Sequence, residues 1–121
     1  TLVSFDEYAR RNEENAAIPR PATINLIYTD RFLLYNEDGS ADLQFDDADK
    51  GLHVFAIVGE GDAYGGDWVL DRKIPEMKAV LGDGDVVYHK YPDYPHGSGL
   101  GIGTSAEGWM EQAITFWEEQ K

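Results

Sequence analysis

The sequence predicts an α/β fold, with a mostly parallel sheet covered by helices on its faces. Two observations support this prediction. Residues 53–58 are almost continuously apolar, as is typical of a parallel strand buried on both faces. From residue 24 onward, strand-like and helix-like segments alternate, which is the order in which βα units build a parallel sheet. With 121 residues, 42% of them hydrophobic, the chain is long enough for one domain with one modest core.

The first half of the chain contains one predicted helix, one predicted strand and a polar insertion. Within residues 1–17, a polar helix is expected over 4–15, with only a narrow apolar stripe to contribute to the core. Residues 24–28 are apolar and β-branched, so we expect a short buried strand there. Residues 31–51 are rich in Asn, Asp, Gly and Ser clusters, which predict a surface excursion built from turns, with a hairpin as one of its possible forms.

The second half, residues 52–121, is predicted to be a βαβα unit. After the strand at 53–58, apolar residues recur at spacings of three and four over 68–81, which predicts an amphipathic helix that ends at Gly82. Pro75 lies inside this helix and is expected to kink or restart it, because proline lacks the N–H that the helix requires.

Another strand and a final helix complete the predicted unit. Residues 85–91 alternate between apolar and polar and predict a strand. Thr104 and Glu107 have capping-box spacing, so a helix is expected over 105–119. The residues expected to form its buried face are Trp109, Met110, Ala113, Ile114 and Trp117.

Asp62 and His96 are the candidate catalytic residues. Asp62 follows the strand at 53–58 in a glycine-rich turn, and His96 follows the strand at 85–91 in a loop rich in proline and glycine. Parallel strands place their carboxyl ends along one sheet edge, where open α/β sheets bind ligands. We therefore expect Asp62 within hydrogen-bond reach of His96, the pairing that orients an imidazole for general base catalysis.

The simpler interpretation of each residue is structural. An aspartate in a glycine-rich turn is most often only a turn residue, and Asp67 on the same loop is the alternative acid. His53 opens one strand and His89 lies within another, so both are expected to be structural or surface residues.

Composition excludes several function classes. There are 23 acidic and 10 basic residues, and the formal charge of −13 argues against nucleic acid and membrane partners. The sequence contains no cysteine, which excludes disulfides, thiolate nucleophiles and zinc–thiolate sites and leaves the compartment open, with the cytoplasm favoured. No apolar run is long enough for a membrane span, and residues 1–7 lack the pattern of a secretion signal.

No metal or cofactor is expected. The aspartates between residues 42 and 49 do not follow the spacing of an EF-hand calcium loop. The glycine-rich loop 97–103 lacks the lysine of a P-loop, and the surrounding acidic charge disfavours phosphate.

Residues 91–109 carry the most specific motif, which contains His-Gly-Ser-Gly-Leu-Gly-Ile-Gly-Thr-Ser-Ala-Glu-Gly-Trp from His96 onward. This segment resembles the C-terminal end of bacterial α/β-hydrolase esterases related to acetylxylan and feruloyl esterases. The segment 55–62, Phe-Ala-Ile-Val-Gly-Glu-Gly-Asp, is similar to the acid-bearing turn of that family, and residues 19–29 are more loosely similar to the strand after its nucleophile helix. Asp62 before His96 also agrees with the chain order of nucleophile, acid and histidine in α/β-hydrolases.

The resemblance implies that residues 1–121 form a single partial α/β-hydrolase domain, in which Asp62 is the triad acid and His96 the general base. The family's Gly-x-Ser-x-Gly nucleophile elbow and its His-Gly-Gly oxyanion segment are missing, and Ser98 stands where the family usually has phenylalanine. Ser98 lies only two residues after His96, which disfavours it as the nucleophile.

The chain is therefore expected to be the acid and histidine half of a serine esterase that acts on acylated sugars or other small esters. The chain alone should be inactive, because the nucleophile belongs to a missing or separate segment. That segment would be upstream sequence, a complementing chain or a second copy brought in by self-association. Starting at Thr1 rather than methionine is compatible with a processed or truncated product. The alternative is a non-catalytic binding or interaction module derived from an α/β-hydrolase.

Overall fold

The computed structural model of the chain describes residues 22–29 and 50–120. The predicted helix over 4–15 and nearly all of the predicted excursion over 31–51 lie outside these residues. The described elements, in chain order, are strand β1 (Thr23–Ile27), strand β2 (His53–Gly59), helix α1 (Gly66–Leu81), a 3₁₀ turn (Asp83–Asp85), strand β3 (Val86–Tyr91) and helix α2 (Trp109–Glu119).

The three strands form a parallel sheet with β2 in the centre. β1 pairs with β2 so that Thr23 lies opposite His53, and β2 pairs with β3 so that Val54 lies opposite Val86. Every residue of β2 from Val54 to Gly59 is buried, as expected of a strand with neighbours on both edges and helices on both faces. The α/β class and the parallel sheet are thus present at this coarse level.

Alternate residues of β2 point to opposite faces of the sheet and divide the core in two. On the first face, Val54, Ala56 and Val58 pack against α1, whose buried residues include Leu70, Ile74, Met77 and Leu81. On the second face, Phe55 and Ile57 pack against α2 and against the loop over residues 92–108, called the histidine loop because it contains His96. The contacting residues are Tyr94, Ala106, Trp109, Ala113 and Phe116. Both helices therefore hold the carboxyl end of β2 in place.

Helix α1 begins two residues earlier than predicted and ends as predicted before Gly82. It continues through Pro75 as one helix, so the predicted restart at that residue is wrong. Pro75 is exposed and lies next to the buried Ile74, so its ring faces away from the core. The buried face on either side of Pro75 packs on the sheet and outweighs one missing hydrogen bond.

Helix α2 begins at Trp109 rather than at residue 105, because Gly108 adopts a left-handed conformation with φ 92° immediately before it. The two predicted capping residues serve the preceding turn instead. The Thr104 hydroxyl donates to the Gly101 carbonyl at 2.6 Å, and the Glu107 carboxylate accepts the Gly103 N–H at 3.3 Å. The predicted capping box is therefore wrong as a helix start.

The predicted buried face of α2 is also partly wrong. Trp109 and Ala113 are buried as expected, together with Phe116. Exposed positions are occupied by the other three predicted residues, Met110, Ile114 and Trp117. Both stripes are apolar and lie side by side on the helix, so the packing of α2 on Phe55 and Ile57 selects between them.

Among the described residues, no helix is both long and apolar enough to cross a bilayer.

Candidate functional site

The structure brings Asp62 and His96 into contact at the carboxyl edge of the sheet. β2 ends at Gly59 and the adjacent parallel strand β3 ends at Tyr91, so the loops that follow leave from the same edge. The Nδ1 atom of His96 lies 2.9 Å from Oδ2 and 3.1 Å from Oδ1 of Asp62. The contact expected from the strand order is thus present, and the catalytic role of the two residues remains a prediction.

Two backbone N–H groups also bind the Asp62 carboxylate. Its Oδ1 atom accepts hydrogen bonds from the N–H of Tyr64 at 2.9 Å and of Gly66, the first residue of α1, at 3.2 Å. The Asp62 side chain is fully buried, whereas 22% of the His96 side chain is exposed. These donors compensate the burial of the carboxylate and fix its direction, and the imidazole stays accessible to solvent.

The loop that carries His96 is a series of hydrogen-bonded turns. Each of three N–H groups donates to the carbonyl three residues earlier: Ser98 to Pro95 at 3.1 Å, Gly101 to Ser98 at 3.0 Å, and Thr104 to Gly101 at 2.9 Å. Gly97 and Gly103 occupy the third positions of two of these turns with φ near 83° and 82°, a conformation that type II turns require and other residues rarely adopt. This turn geometry therefore explains two of the four alternating glycines, Gly97 and Gly103.

One carbonyl group ties the loop to the core. The Gly99 carbonyl accepts hydrogen bonds from the Tyr94 hydroxyl and from Trp109 Nε1, the latter at 2.9 Å. Burial, with smaller contributions from Tyr28 and Tyr91, raises the pKa of Tyr94 to about 12. The Tyr94 hydroxyl therefore stays protonated and keeps donating across the neutral range.

Asp93 anchors the start of the same loop to its end. Its Oδ1 atom accepts the N–H of Ser105 at 2.7 Å. The Ser105 hydroxyl and then this N–H hold the pKa of Asp93 below its usual value. The loop segments on either side of His96 are thereby joined, which fixes the position of the imidazole.

Two tyrosine rings contact the His96 ring, and sequence reasoning did not identify either of them. The ring centroid of His96 lies 4.6 Å from that of Tyr28 and 4.4 Å from that of Tyr64. Tyr28 was predicted to end a strand but lies one residue beyond β1, with φ 40°. The available signal was its position, since an aromatic residue that follows a parallel strand lies at the same sheet edge as Asp62 and His96.

The other candidates lie in structural contacts. Asp67, the alternative acid, accepts the Gly61 N–H at 2.8 Å and so closes the acid-bearing turn. His53 lies at the opposite edge of the sheet, with Nδ1 2.8 Å from Asp85 Oδ1. The His89 ring packs edge-on against Phe55, with ring centroids 5.7 Å apart.

The described residues contain no group of three or more His, Cys, Asp or Glu side chains placed to hold a metal ion. Two serines lie on the histidine loop. Ser98 closes one turn through its N–H, and Ser105 binds Asp93. The whole sequence contains no Gly-x-Ser-x-Gly segment. Within the described residues, the arrangement therefore consists of a histidine ring held against a buried, hydrogen-bonded carboxylate.

No protein-family model matches the chain, and neither a curated protein nor a solved structure matches it significantly. The resemblance of residues 91–109 to α/β-hydrolase esterases accordingly stays a prediction from the sequence. What the structure shows is a small parallel sheet with a helix on each face and a buried aspartate that contacts a histidine at its carboxyl edge.

Proposed function

We propose that this chain is the acid and histidine half of a serine esterase. The observation that carries the proposal is the contact between His96 Nδ1 and the buried carboxylate of Asp62, at 2.9 Å. A carboxylate in this position holds the proton of a neutral imidazole on Nδ1 and leaves Nε2 as the proton acceptor.

In this function, His96 Nε2 takes the proton of a serine hydroxyl while the serine oxygen bonds to the ester carbonyl carbon. The imidazolium then gives that proton to the alcohol oxygen as its bond to the carbonyl carbon breaks. Water, activated by the same nitrogen, releases the acid and frees the serine. Asp62 stabilises the imidazolium in both stages, because its charge is buried and already oriented by two backbone N–H groups.

The serine is proposed to come from a segment outside this sequence. Among the described strands, β1 pairs with β2 alone. The side of β1 that faces away from β2 can therefore accept a further parallel strand. Such a strand would end at the same sheet edge as β2 and β3, and a residue that follows it would approach Asp62 and His96. Tyr28, the residue that follows β1, already contacts His96 in this way.

The proposed substrates are small uncharged esters, including acylated sugars. The formal charge of −13 disfavours anionic substrates through long-range repulsion. This charge acts on association with the protein, whereas Asp62 and His96 act on the reaction itself.

The test compares the 121-residue chain with the polypeptide encoded when the coding region upstream of Thr1 is included. The longer polypeptide should hydrolyse p-nitrophenyl acetate, and His96→Ala should abolish this activity. A fluorophosphonate should label one serine upstream of Thr1, and peptide mass spectrometry identifies the labelled residue. The 121-residue chain should show no turnover, because its sequence contains no Gly-x-Ser-x-Gly nucleophile elbow.

Two results would contradict the proposal. Turnover by the 121-residue chain that is lost in His96→Ala would place the nucleophile within the chain. An upstream region without a serine elbow, together with inactivity of the longer polypeptide and of mixtures with candidate partner chains, would favour the non-catalytic binding module.

A further inference from the structure

The His96 ring is in contact with aromatic rings from two different segments. Tyr28 follows β1, and Tyr64 lies on the turn that carries Asp62. Both tyrosine rings are tilted by about the same angle to the imidazole, 52° for Tyr28 and 53° for Tyr64. Centroid distances below 5 Å are typical of direct aromatic contact, so the two rings restrict how His96 can rotate.

Tyr28 is held in a conformation that bulky residues rarely adopt. Its φ is 40°, in the left-handed region, and it is the one non-glycine residue with positive φ among those the structure describes. Its N–H donates to the Ile57 carbonyl at 2.8 Å. A side chain at residue 66 would lie 3.3 Å from the Tyr28 carbonyl oxygen. Unfavourable backbone conformations of this kind persist only where surrounding contacts impose them, and they cluster at functional sites.

The Tyr28 ring is also supported from within the protein. Its centroid lies 5.8 Å from that of Tyr94, whose hydroxyl binds the Gly99 carbonyl. Tyr94 is 2% exposed. The contact of Tyr28 with His96 is therefore supported by the packed core, through the same Tyr94 ring that holds the histidine loop at Gly99.

Unlike Tyr28, Tyr64 contacts His96 from the protein surface. Its side chain is 68% exposed, while its N–H binds the Asp62 carboxylate at 2.9 Å. An aromatic side chain so exposed contributes little to the core. Its ring contact with His96 is thus separable from overall stability.

We propose that Tyr28 and Tyr64 are positioning residues that hold the His96 ring with Nδ1 facing Asp62. This inference rests on the proposed function, because the orientation of the imidazole matters for catalysis only if His96 transfers a proton. Loss of either ring should let the imidazole rotate away from the carboxylate. The neutral imidazole would then place its proton on Nε2 more often, as the hydrogen bond to Nδ1 sets the tautomer.

The test measures the ratio of the Nδ1–H to the Nε2–H tautomer of His96 by ¹⁵N NMR of the 121-residue chain at alkaline pH. Tyr64→Leu and Tyr28→Leu should each lower this ratio by about two- to tenfold, the range expected for loss of one aromatic contact. Tyr64→Phe and Tyr28→Phe should keep the parent ratio, because they retain the ring. Tyr88→Leu is the matched control, since Tyr88 binds Asp71 and packs against the core on the other face of the sheet.

Tyr64→Leu keeps the test decisive if Tyr28→Leu fails to fold, because Tyr64 is exposed. Parent ratios in the leucine variants that fold would overturn the inference. Equal shifts in the leucine and phenylalanine variants would assign the effect to the hydroxyl groups and would also overturn it. Asp62→Asn separates the effect of Asp62 from that of the tyrosines: if that variant changes the tautomer while the leucine variants do not, the pair with Asp62 stands and the role of the tyrosines fails. Hydrolysis of p-nitrophenyl acetate by the longer polypeptide tests the proposed function independently of this ratio.

Discussion

Gly59 and the Tyr94 carbonyl are in such close approach that no side chain fits between them. A Cβ atom at residue 59 would lie 1.8 Å from the Tyr94 carbonyl oxygen and 2.7 Å from its carbonyl carbon. Gly59 is the last residue of β2, and Tyr94 comes two residues before His96. The N–H of Glu60 also donates to the Tyr91 carbonyl at 2.7 Å. The loop that carries His96 therefore crosses the end of β2 directly against the backbone of that strand.

Gly59→Ala should displace the histidine loop and separate His96 from Asp62. The clash involves backbone atoms, so we expect a loss of about 1–3 kcal/mol or more in the free energy of unfolding. Chemical denaturation measures this loss, and NMR of the His96 ring measures the separation. Gly84→Ala is the matched control, because no atom lies within 4 Å of a Cβ at residue 84. Similar stability of the two variants would contradict the close approach.

Asp62→Asn should reverse the tautomer of His96 rather than simply release it. The amide oxygen can still accept the N–H groups of Tyr64 and Gly66, as Oδ1 does in the parent. This orientation turns the amide NH₂ toward His96 Nδ1, which must then be the acceptor and leave the proton on Nε2. ¹⁵N NMR of the imidazole measures the change.

Asp67→Asn is the control for the Asp62→Asn substitution. The residue closes its turn by accepting the Gly61 N–H, which an amide oxygen can also do. The His96 tautomer should therefore match that of the parent. A reversal in Asp67→Asn, with none in Asp62→Asn, would make Asp67 the partner of His96 in solution.

Trp109→Ala should destabilise the protein far more than Trp117→Ala. Trp109 is 4% exposed and donates its indole N–H to Gly99, whereas Trp117 is 39% exposed. Complete burial predicts a loss of about 3–5 kcal/mol for Trp109→Ala, and less than about half of that for Trp117→Ala. Equal losses in urea denaturation, or a larger loss for Trp117→Ala, would show that α2 packs through its other apolar stripe.

Asp71 links α1 to β3 and should make stability depend on pH. Its carboxylate accepts hydrogen bonds from Lys90 Nζ at 2.9 Å and from the Tyr88 hydroxyl at 2.8 Å. The bond from Lys90, followed by that from Tyr88, lowers the pKa of Asp71 below its usual 3.8, and the bond to Asp71 adds to burial in raising the pKa of Tyr88. A lowered folded-state pKa stabilises the protein fully above the unfolded-state value, and this stabilisation is lost as the pH falls through the folded-state value.

Asp71→Asn should therefore lower the free energy of unfolding at neutral pH by less than about 1 kcal/mol, because 46% of the side chain is exposed and water screens the charge. The stability curves of parent and variant should converge in acid, once the parent carboxyl is protonated. Asp83→Asn removes the same formal charge from an exposed position and serves as the control. A deficit for Asp71→Asn that persists unchanged at acid pH would argue against the charge-dependent link.

Much of the fold and the contact at the site could be predicted from local patterns. The apolar run in β2 and the spacing of Leu70, Ile74 and Leu81 in α1 reflect burial that each segment imposes on its own residues. Consecutive parallel strands must end at one sheet edge, so the loops after β2 and β3 could be expected to bring Asp62 and His96 together.

Tertiary packing decided what those patterns left open. Met110, Ile114 and Trp117 are as apolar as the buried stripe of α2, so helical periodicity could not distinguish the face that meets the sheet. The contacts of Tyr28 and Tyr64 with His96 join residues 68 and 32 positions away from it in the chain. A spacing rule within one helix or strand cannot predict such contacts, since they depend on how the ends of separate elements meet in three dimensions.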